Sequence, residues 1–247
     1  MQKLIILFMF IVFIPMMNAQ NIENSYSPKF RIAIKGGLSY RIGELPDNIS
    51  SSYKKYLKDL KSGTHVGIEF HYLVPSKKTK KESFGIGAVY SYYGSKVSLK
   101  NYSFISEVDG SQIVGEISDD ITLKYYGVSG LILDSWKKGF WFINLSLGSL
   151  NYRDLGGFSN EQTDILLELK GKTLGVGLGL GVDFTVYKNL AVGLQWEFLG
   201  GVLKKYTQND GTSTRTITLS DEQKEILSRN DLSIGIRYYF MGKAKSE

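Results

Sequence analysis

From residue 30 onward the chain alternates large apolar side chains with small or polar ones at a period of two. The pattern is clearest in residues 173–187. There Leu174, Val176, Leu178, Leu180, Val182 and Phe184 form one row, and Gly175, Gly177, Gly179, Gly181 and Asp183 the other. Residues 30–40, 65–74, 84–96, 140–152, 189–200 and 232–240 repeat it, and 120–134 does so with two faces that are hard to tell apart. A period of two puts alternate side chains on opposite faces of a strand, whereas a helix repeats near 3.6. The eight segments predict eight strands.

A soluble sandwich alternates too, so three further features decide the environment. The segments exceed the five or six residues of ordinary strands and reach the ~9–11 that cross a bilayer at a tilt. One face is large and apolar while the other is Gly, Ser and charge, which fits an apolar exterior around a narrow polar interior. Aromatics stand near strand ends, at Phe30, Tyr40, Tyr72, Phe84, Trp141, Tyr152, Phe184, Trp196, Tyr238 and Phe240, where rings would meet the water boundary.

The links alternate in length. Those at 75–82, 135–138 and 187–189 are short, and those around 41–64, 97–119, 153–172 and 201–230 are long, as periplasmic turns and external loops are. Residues 51–63 read as helical, and 159–166 (SNEQTDIL) and 220–227 (SDEQKEIL) each open with a Ser-x-x-Gln capping pattern. The expected fold is all-β. It is a closed antiparallel up-and-down transmembrane barrel of about eight strands over 29–240, with short helices in the long external loops and a polar tail at 241–247.

Residues 1–19 have the order of a secretory signal peptide: Lys3, an apolar run from Leu4 to Ile14, and the small Ala19 at the cleavage edge. That run is about half of the ~20 residues a spanning helix needs. A polar lead-in, 20–28, follows.

Composition narrows the chemistry. The 247 residues contain no cysteine, which excludes disulfides, thiolate metal sites, a cysteine nucleophile and a lipoprotein anchor. The net charge of +6 could indicate nucleic acid, but Lys77, Lys78, Lys80 and Lys81 cluster in a predicted turn. We therefore expect outer-membrane lipid head groups beside the basic connections, and no nucleic-acid partner. The histidines, His65 and His71, share one face of one strand about 20 Å apart, too far for a common site. No metal-ligand spacing and no phosphate loop occurs, so neither metal nor cofactor is expected. The informative residues are charges on inner faces: Arg31, Lys35, Glu69, Asp183, Glu197 and Arg237. Buried charges need partners, so these six are expected to form a network that plugs a narrow lumen. Lys35 and Glu69 lie at similar depth and should pair. Arg31 and Arg237 should share Asp183, across space kept open by Gly175 to Gly181.

The final strand carries Ser233, Gly235, Tyr238 and Phe240. This polar-glycine-aromatic-aromatic spacing resembles the terminal signal by which outer-membrane barrels are recognised for assembly. The tail after Phe240 departs from it. The chain as a whole resembles the small outer-membrane β-barrel family, OmpA/OmpX-like and PorT-like. That resemblance implies the barrel-assembly machinery as a partner and the outer membrane of a Gram-negative bacterium as the location, after cleavage near Ala19. The long loops point to a non-enzymatic barrel that meets a surface ligand or protein partner, in adhesion or envelope integrity. The resemblance leaves two alternatives, a PorT-like component of a secretion or envelope-assembly machine and a lipid-A-modifying barrel enzyme.

Overall fold

Each of the eight alternating segments forms a strand, and hydrogen bonding closes them on one another. The computed structural model describes residues 28–43, 45–47, 49–76, 81–105, 110–220 and 224–241. The signal segment, nearly all of the polar lead-in and the tail beyond Met241 lie outside these. The ring consists of β1 (Pro28–Arg41), β2 (Ser62–Pro75), β3 (Glu82–Ile105), β4 (Gln112–Trp136), β5 (Gly139–Ser159), β6 (Asp164–Tyr187), β7 (Leu190–Leu203) and β11 (Arg229–Met241). Each pairs antiparallel with the next, and β11 closes on β1. Two-sided pairing satisfies the backbone without water, which is the condition for crossing hydrocarbon. Paired residues followed once round the ring from Arg31 run through His71, Gly87, Ser129, Ser146, Gly177, Leu199 and Arg229 and return at Arg41. That stagger, from 31 to 41 on one strand, tilts the strands and leaves an interior that side chains can fill.

The outward row is apolar all round the ring. Ile34, Leu38, Ile86, Val128, Leu145, Leu174 and Leu232 are each 61–71% exposed to the surroundings of the barrel. Such a band is sustainable in lipid, not in water. Below it Phe30 packs against Phe70, Tyr72 and Phe240, and Trp136 meets Phe184, forming an aromatic girdle at the periplasmic end. Tyr152 departs from the girdle expectation. It shares the inward parity of Phe142 and Leu150, is 8% exposed, and its hydroxyl donates to Asp154 inside the mouth.

The long links are less loop-like than expected. β3 to β6 run 24, 25, 21 and 24 residues, against 13 or 14 for β1, β2, β7 and β11. The segments 97–119 and 153–172 are largely continuations of these strands, rising past the apolar band as a one-sided wall. The wall is widened by a hairpin, β8 (Lys205–Asn209) and β9 (Thr214–Thr218), with β8 paired to β6. Between β7 and β11 a short β10 (Glu225–Ile226) pairs with β7. The helix expected at 51–63 is present as α1 (Ser51–Lys61), capped where the Ser50 side chain accepts from Tyr53 N. The one expected at 159–166 is not. Asn160 Oδ1 accepts from the backbone N–H of Gln162 and Thr163, making a tight turn, and Ser159 pairs with Asp164 across it. The same donors a helix cap would satisfy are taken by a turn that prolongs the ladder. In the third predicted helix, 221–223 lie outside the described residues, Glu225–Ile226 form β10 instead of a helix, and Leu227 N bonds to Gly201 O.

The alternation of short turns and long links leads us to expect the wall and its hairpin on the external side, and the turns at 137–138 and 188–189 on the periplasmic side. A cysteine at Thr216 should react with an impermeant maleimide on intact cells, and one at Lys138 only after the outer membrane is opened. Reaction at Lys138 on intact cells would reverse the orientation.

Candidate functional site

The lumen is filled in three layers. At the periplasmic end Leu73, Leu131, Leu133 and Phe142 pack with Ala191 and Tyr239, and the Phe140 ring stacks on Tyr239 at 4.3 Å. At the external end Leu123, Tyr125, Leu150 and Leu199 pack with Leu60 of α1 and Leu227. The inner faces of β4 and β5 are therefore rich in large apolar residues, contrary to a uniformly small and polar interior. These two strands face other side chains across the lumen, and apolar layers seal both ends of the polar one.

Charges occupy the middle layer. Glu69 Oε2 accepts from Arg31 Nη1 at 2.7 Å, and Glu69 Oε1 from Lys35 Nζ at 2.6 Å and Gln195 Nε2 at 2.9 Å. Lys35 Nζ also donates to Glu197 Oε2 at 2.6 Å. Asp183 lies 3.5 Å from Arg31 Nη2 and 3.1 Å from Arg237 Nε, and accepts from the Tyr239 hydroxyl at 2.5 Å. Higher up, Arg229 donates to Asp231 at 3.1 Å and to Ser91 at 2.6 Å, and Ser39 donates to Asp231. Among the described residues the buried cations Arg31, Lys35, Arg41, Arg229 and Arg237 face the buried carboxylates Glu69, Asp183, Glu197 and Asp231. The half-exposed Glu225 on β10 completes the balance at Arg41, 2.9 Å away. Charges this deeply buried persist because they are paired.

Glycines create the room. A Cβ at Gly179 would collide with Asn144 Oδ1, and one at Gly193 with Asp183 Oδ1. The space beside the row Gly175 to Gly181 is thus not left open, contrary to expectation. Neighbouring side chains fill it.

The mouth above is chemically different. A cavity of about 410 Å³ lies between α1, the β1–α1 link and β10, with Arg41, Tyr53, Leu57, Ile121, Tyr152 and Glu225 among its walls. Beside it Tyr56 donates to Asp119 at 2.5 Å, and burial raises the Tyr56 hydroxyl above the usual phenol range. Asp154 lies at the height where the outer face of the wall carries Arg153, Glu168 and Lys170, above the hydrocarbon. Burial, and then nearby Asp119, push the Asp154 carboxyl up to about 6.

The barrel fold has counterparts among solved structures. The outer-membrane protease OmpT from Escherichia coli superposes with a TM-score of 0.54 at 11% identity, covering 90% of this chain and 100% of that one. The fold is that of an outer-membrane β-barrel. A major outer membrane protein from Thermus thermophilus gives a TM-score of 0.49 at 10% identity, over 85% and 99% of the two chains. Neisserial surface protein A gives 0.39 at 16% identity, over 87% and 99%. No protein-family model matches the chain, and no curated protein matches it at a significant level.

The barrel brings all six inner-face charges singled out by parity, Arg31, Lys35, Glu69, Asp183, Glu197 and Arg237, into one connected cluster. Lys35 bridges two carboxylates where a single pair was expected. Parity also extends to Arg229 and Asp231, which continue the row of Ser233 and Gly235 below residue 232, where the alternation in the sequence fades. Of the terminal-strand residues, Ser233 faces the lumen and donates to Gln195 O, while Tyr238 and Phe240 face outward with rings 4.7 Å apart. The two histidines are separated, as their spacing requires. His65 lies 3.7 Å from Asp231, and His71 Nε2 is 2.7 Å from Ser129 Oγ. Among the described residues no group of three or more His, Asp or Glu is arranged to hold a metal ion.

The shared cation can be tested by removal. Lys35→Met leaves Glu69 and Glu197 facing each other without it, and should cost roughly 3–5 kcal/mol if the site is dry. Lys35→Met/Glu197→Gln should recover more of that loss than Lys35→Met/Glu69→Leu, which also strips Arg31 of its nearest carboxylate. Urea unfolding in micelles, read by heat-modifiable gel mobility, measures all three, and equal recovery would contradict the bridge.

A second prediction concerns pH. The folded mouth holds the Asp154 proton more tightly than an unfolded chain, whose carboxyl titrates near 3.8. Its contribution favours the closed mouth at low pH and is lost as pH rises through about 6. Hydrogen exchange of the α1 amides should therefore quicken between about pH 4 and about pH 7, beyond the intrinsic chemical rate. Asp154→Asn should flatten that excess, and an unchanged excess would exclude Asp154 as its source.

Proposed function

We propose that this protein is a non-enzymatic surface barrel in the outer membrane of a Gram-negative bacterium, acting through its raised wall and helix-capped mouth on a ligand or protein partner outside the cell. The observation that carries this is the contrast between a lumen filled from end to end and four strands that rise well past the apolar band. A filled lumen leaves no continuous path for a solute. The barrel then serves as a rigid base, and recognition falls to the elements it holds above the membrane.

His71 and Ser129 are within hydrogen-bond distance, the arrangement a nucleophile and its base would need. They are 0% and 3% exposed, beneath one apolar layer and above another. Among the described residues His71 Nδ1 has no hydrogen-bond partner to orient the ring. Both facts favour a structural role over catalysis. The resemblance of the chain as a whole to small OmpA/OmpX-like and PorT-like barrels supports the small-barrel part of this reading, and its PorT-like side supports the alternative of a secretion- or assembly-machine component.

In planar bilayers the purified protein should give no stepwise conductance. Replacing 205–218 by a short turn should preserve insertion and heat-modifiability while reducing adhesion or partner contact by intact cells. Stepwise conductance by the wild type would overturn the sealed-barrel reading. Altered lipid A that is restored to normal by Ser129→Ala would overturn the non-enzymatic one.

A further inference from the structure

On the outside of the barrel, just above the apolar band, cations gather on one side. On β4 the outward row passes from Val128 and Tyr126 to Lys124, and on β6 from Val176 and Leu174 to Lys172 and Lys170. Lys124 pairs in register with Asn151, and Asn151 with Lys172. Arg153 pairs with Lys170, Lys170 with Thr207, and Thr207 with Thr216. Directly opposed residues of antiparallel strands share a face, so these side chains form one surface. A cleft of about 380 Å³ opens in it, lined by Lys170, Lys172, Lys205, Thr207 and Thr216. Glu168 engages Arg153 at 2.6 Å and Lys170 at 2.7 Å. Among the described residues Lys124, Lys172 and Lys205 have no carboxylate within ion-pair distance. At the matching height on the other side of the ring, the outward positions are Tyr40, Thr64 and Asn230, with no cation.

We propose that this cleft binds the phosphate of an outer-leaflet lipid, with the acyl chains lying down the apolar band against Leu174 and Val176. The occupant follows from the two surfaces meeting at one edge. Lys172 and Lys205 supply charge at head-group height, the Thr207 and Thr216 hydroxyls can donate to phosphate oxygens, and the wall directly beneath is built for hydrocarbon. A soluble anion would use the cations alone, whereas a phosphorylated lipid uses both surfaces. Each lysine near a membrane surface adds a several-fold gain in affinity for anionic lipid. The site does not depend on the partner reading of the mouth and wall.

The test uses the purified full-length barrel in micelles, with phosphorylated lipid A and its dephosphorylated form as probes, and native mass spectrometry to count retained lipid. Wild type should retain the phosphorylated form and release the other. Lys124→Gln/Lys172→Gln/Lys205→Gln should retain it about a hundredfold less. A charge-matched variant at the periplasmic turns, Lys81→Gln/Lys137→Gln/Lys138→Gln, should behave like wild type. Heat-modifiable mobility reports folding of each, and Lys172→Glu alone serves if the triple variant does not insert. Equal retention of both lipids, equal loss in the periplasmic variant, or displacement of the retained lipid by an equal concentration of inorganic phosphate would overturn the proposal, the last by assigning the cleft to a free anion.

Discussion

The carboxylate of Glu69 is the point on which the barrel interior depends. It sits on β2 and accepts from Arg31 and Lys35 on β1 and from Gln195 on β7. Through Arg31 it reaches Asp183 on β6, and through Asp183 it reaches Arg237 and Tyr239 on β11. Five of the eight ring strands meet in this one cluster, and most of the links cross the lumen instead of following the sheet. An uncompensated charge at full burial is among the costliest faults a protein can carry. Each charged residue here is tolerable only once the strands that bring its partners are in place. The interior therefore selects one closed arrangement of strands, over and above the sheet hydrogen bonds that any register would satisfy.

The other three strands play a different part. β3, β4 and β5 turn Val89, Ser91, Leu123, Tyr125, Ser129 and Phe142 inward, hydroxyls and apolar groups without ionised side chains in the filled region. Arg31 lies 4.4 Å above the Phe142 ring, and Arg229 lies 5.5 Å from that of Tyr93, so these strands meet the cations with aromatic faces. A guanidinium packed on a ring keeps its planar edges free for carboxylates. The result is an ionic half and an aromatic-aliphatic half, joined across the lumen and closed above and below by apolar layers.

Strand identity was legible in the sequence, and facing too except at 120–134, because lipid on one side and a packed lumen on the other force a period of two. On β4 the lumen side also carries large apolar groups, Leu123, Tyr125, Leu131 and Leu133, which blurs the contrast. The same logic explains what was not legible. Above the band both faces of β4 meet water or polar neighbours, so Gln112 to Asp120 shows no apolar alternation, although its ladder to β3 continues. Alternation reports a difference between two faces, not the presence of pairing. Arg229 and Asp231 lie at the same boundary, where the outward partners are Asn230 and Ser228 and the apolar row has ended. The Ser-x-x-Gln signal at 159–162 failed for a local reason: Asn160, between the cap and the expected first turn, competes for the same backbone donors and wins where strand pairing resumes at once. That Lys35 would be shared was beyond parity, because sharing depends on β7 standing across from β2, a consequence of stagger and closure.

The wall creates a problem that the ring itself does not have, since rising past β2 and β7 exposes sheet edges. The two edges are managed differently. Beside β3, the helix α1 folds over the inner side: Tyr53 packs against Tyr102 at 5.3 Å, and the Tyr93 hydroxyl donates to the last carbonyls of the helix, Leu60 O and Lys61 O. The outward row there carries Lys96 and Lys100, charges of the kind that discourage edge-to-edge pairing. At the far side β9 ends the sheet with Thr214–Thr218, polar and exposed but for the half-buried Ile217 and with Arg215 among them, and no element covers it among the described residues. One edge is thus shielded by a helix whose Leu60 seals the lumen below, and the other is left open to solvent. A rigid, filled barrel makes this asymmetry sustainable, because the wall is anchored along the length of β3 to β6 and needs no support from its own rim.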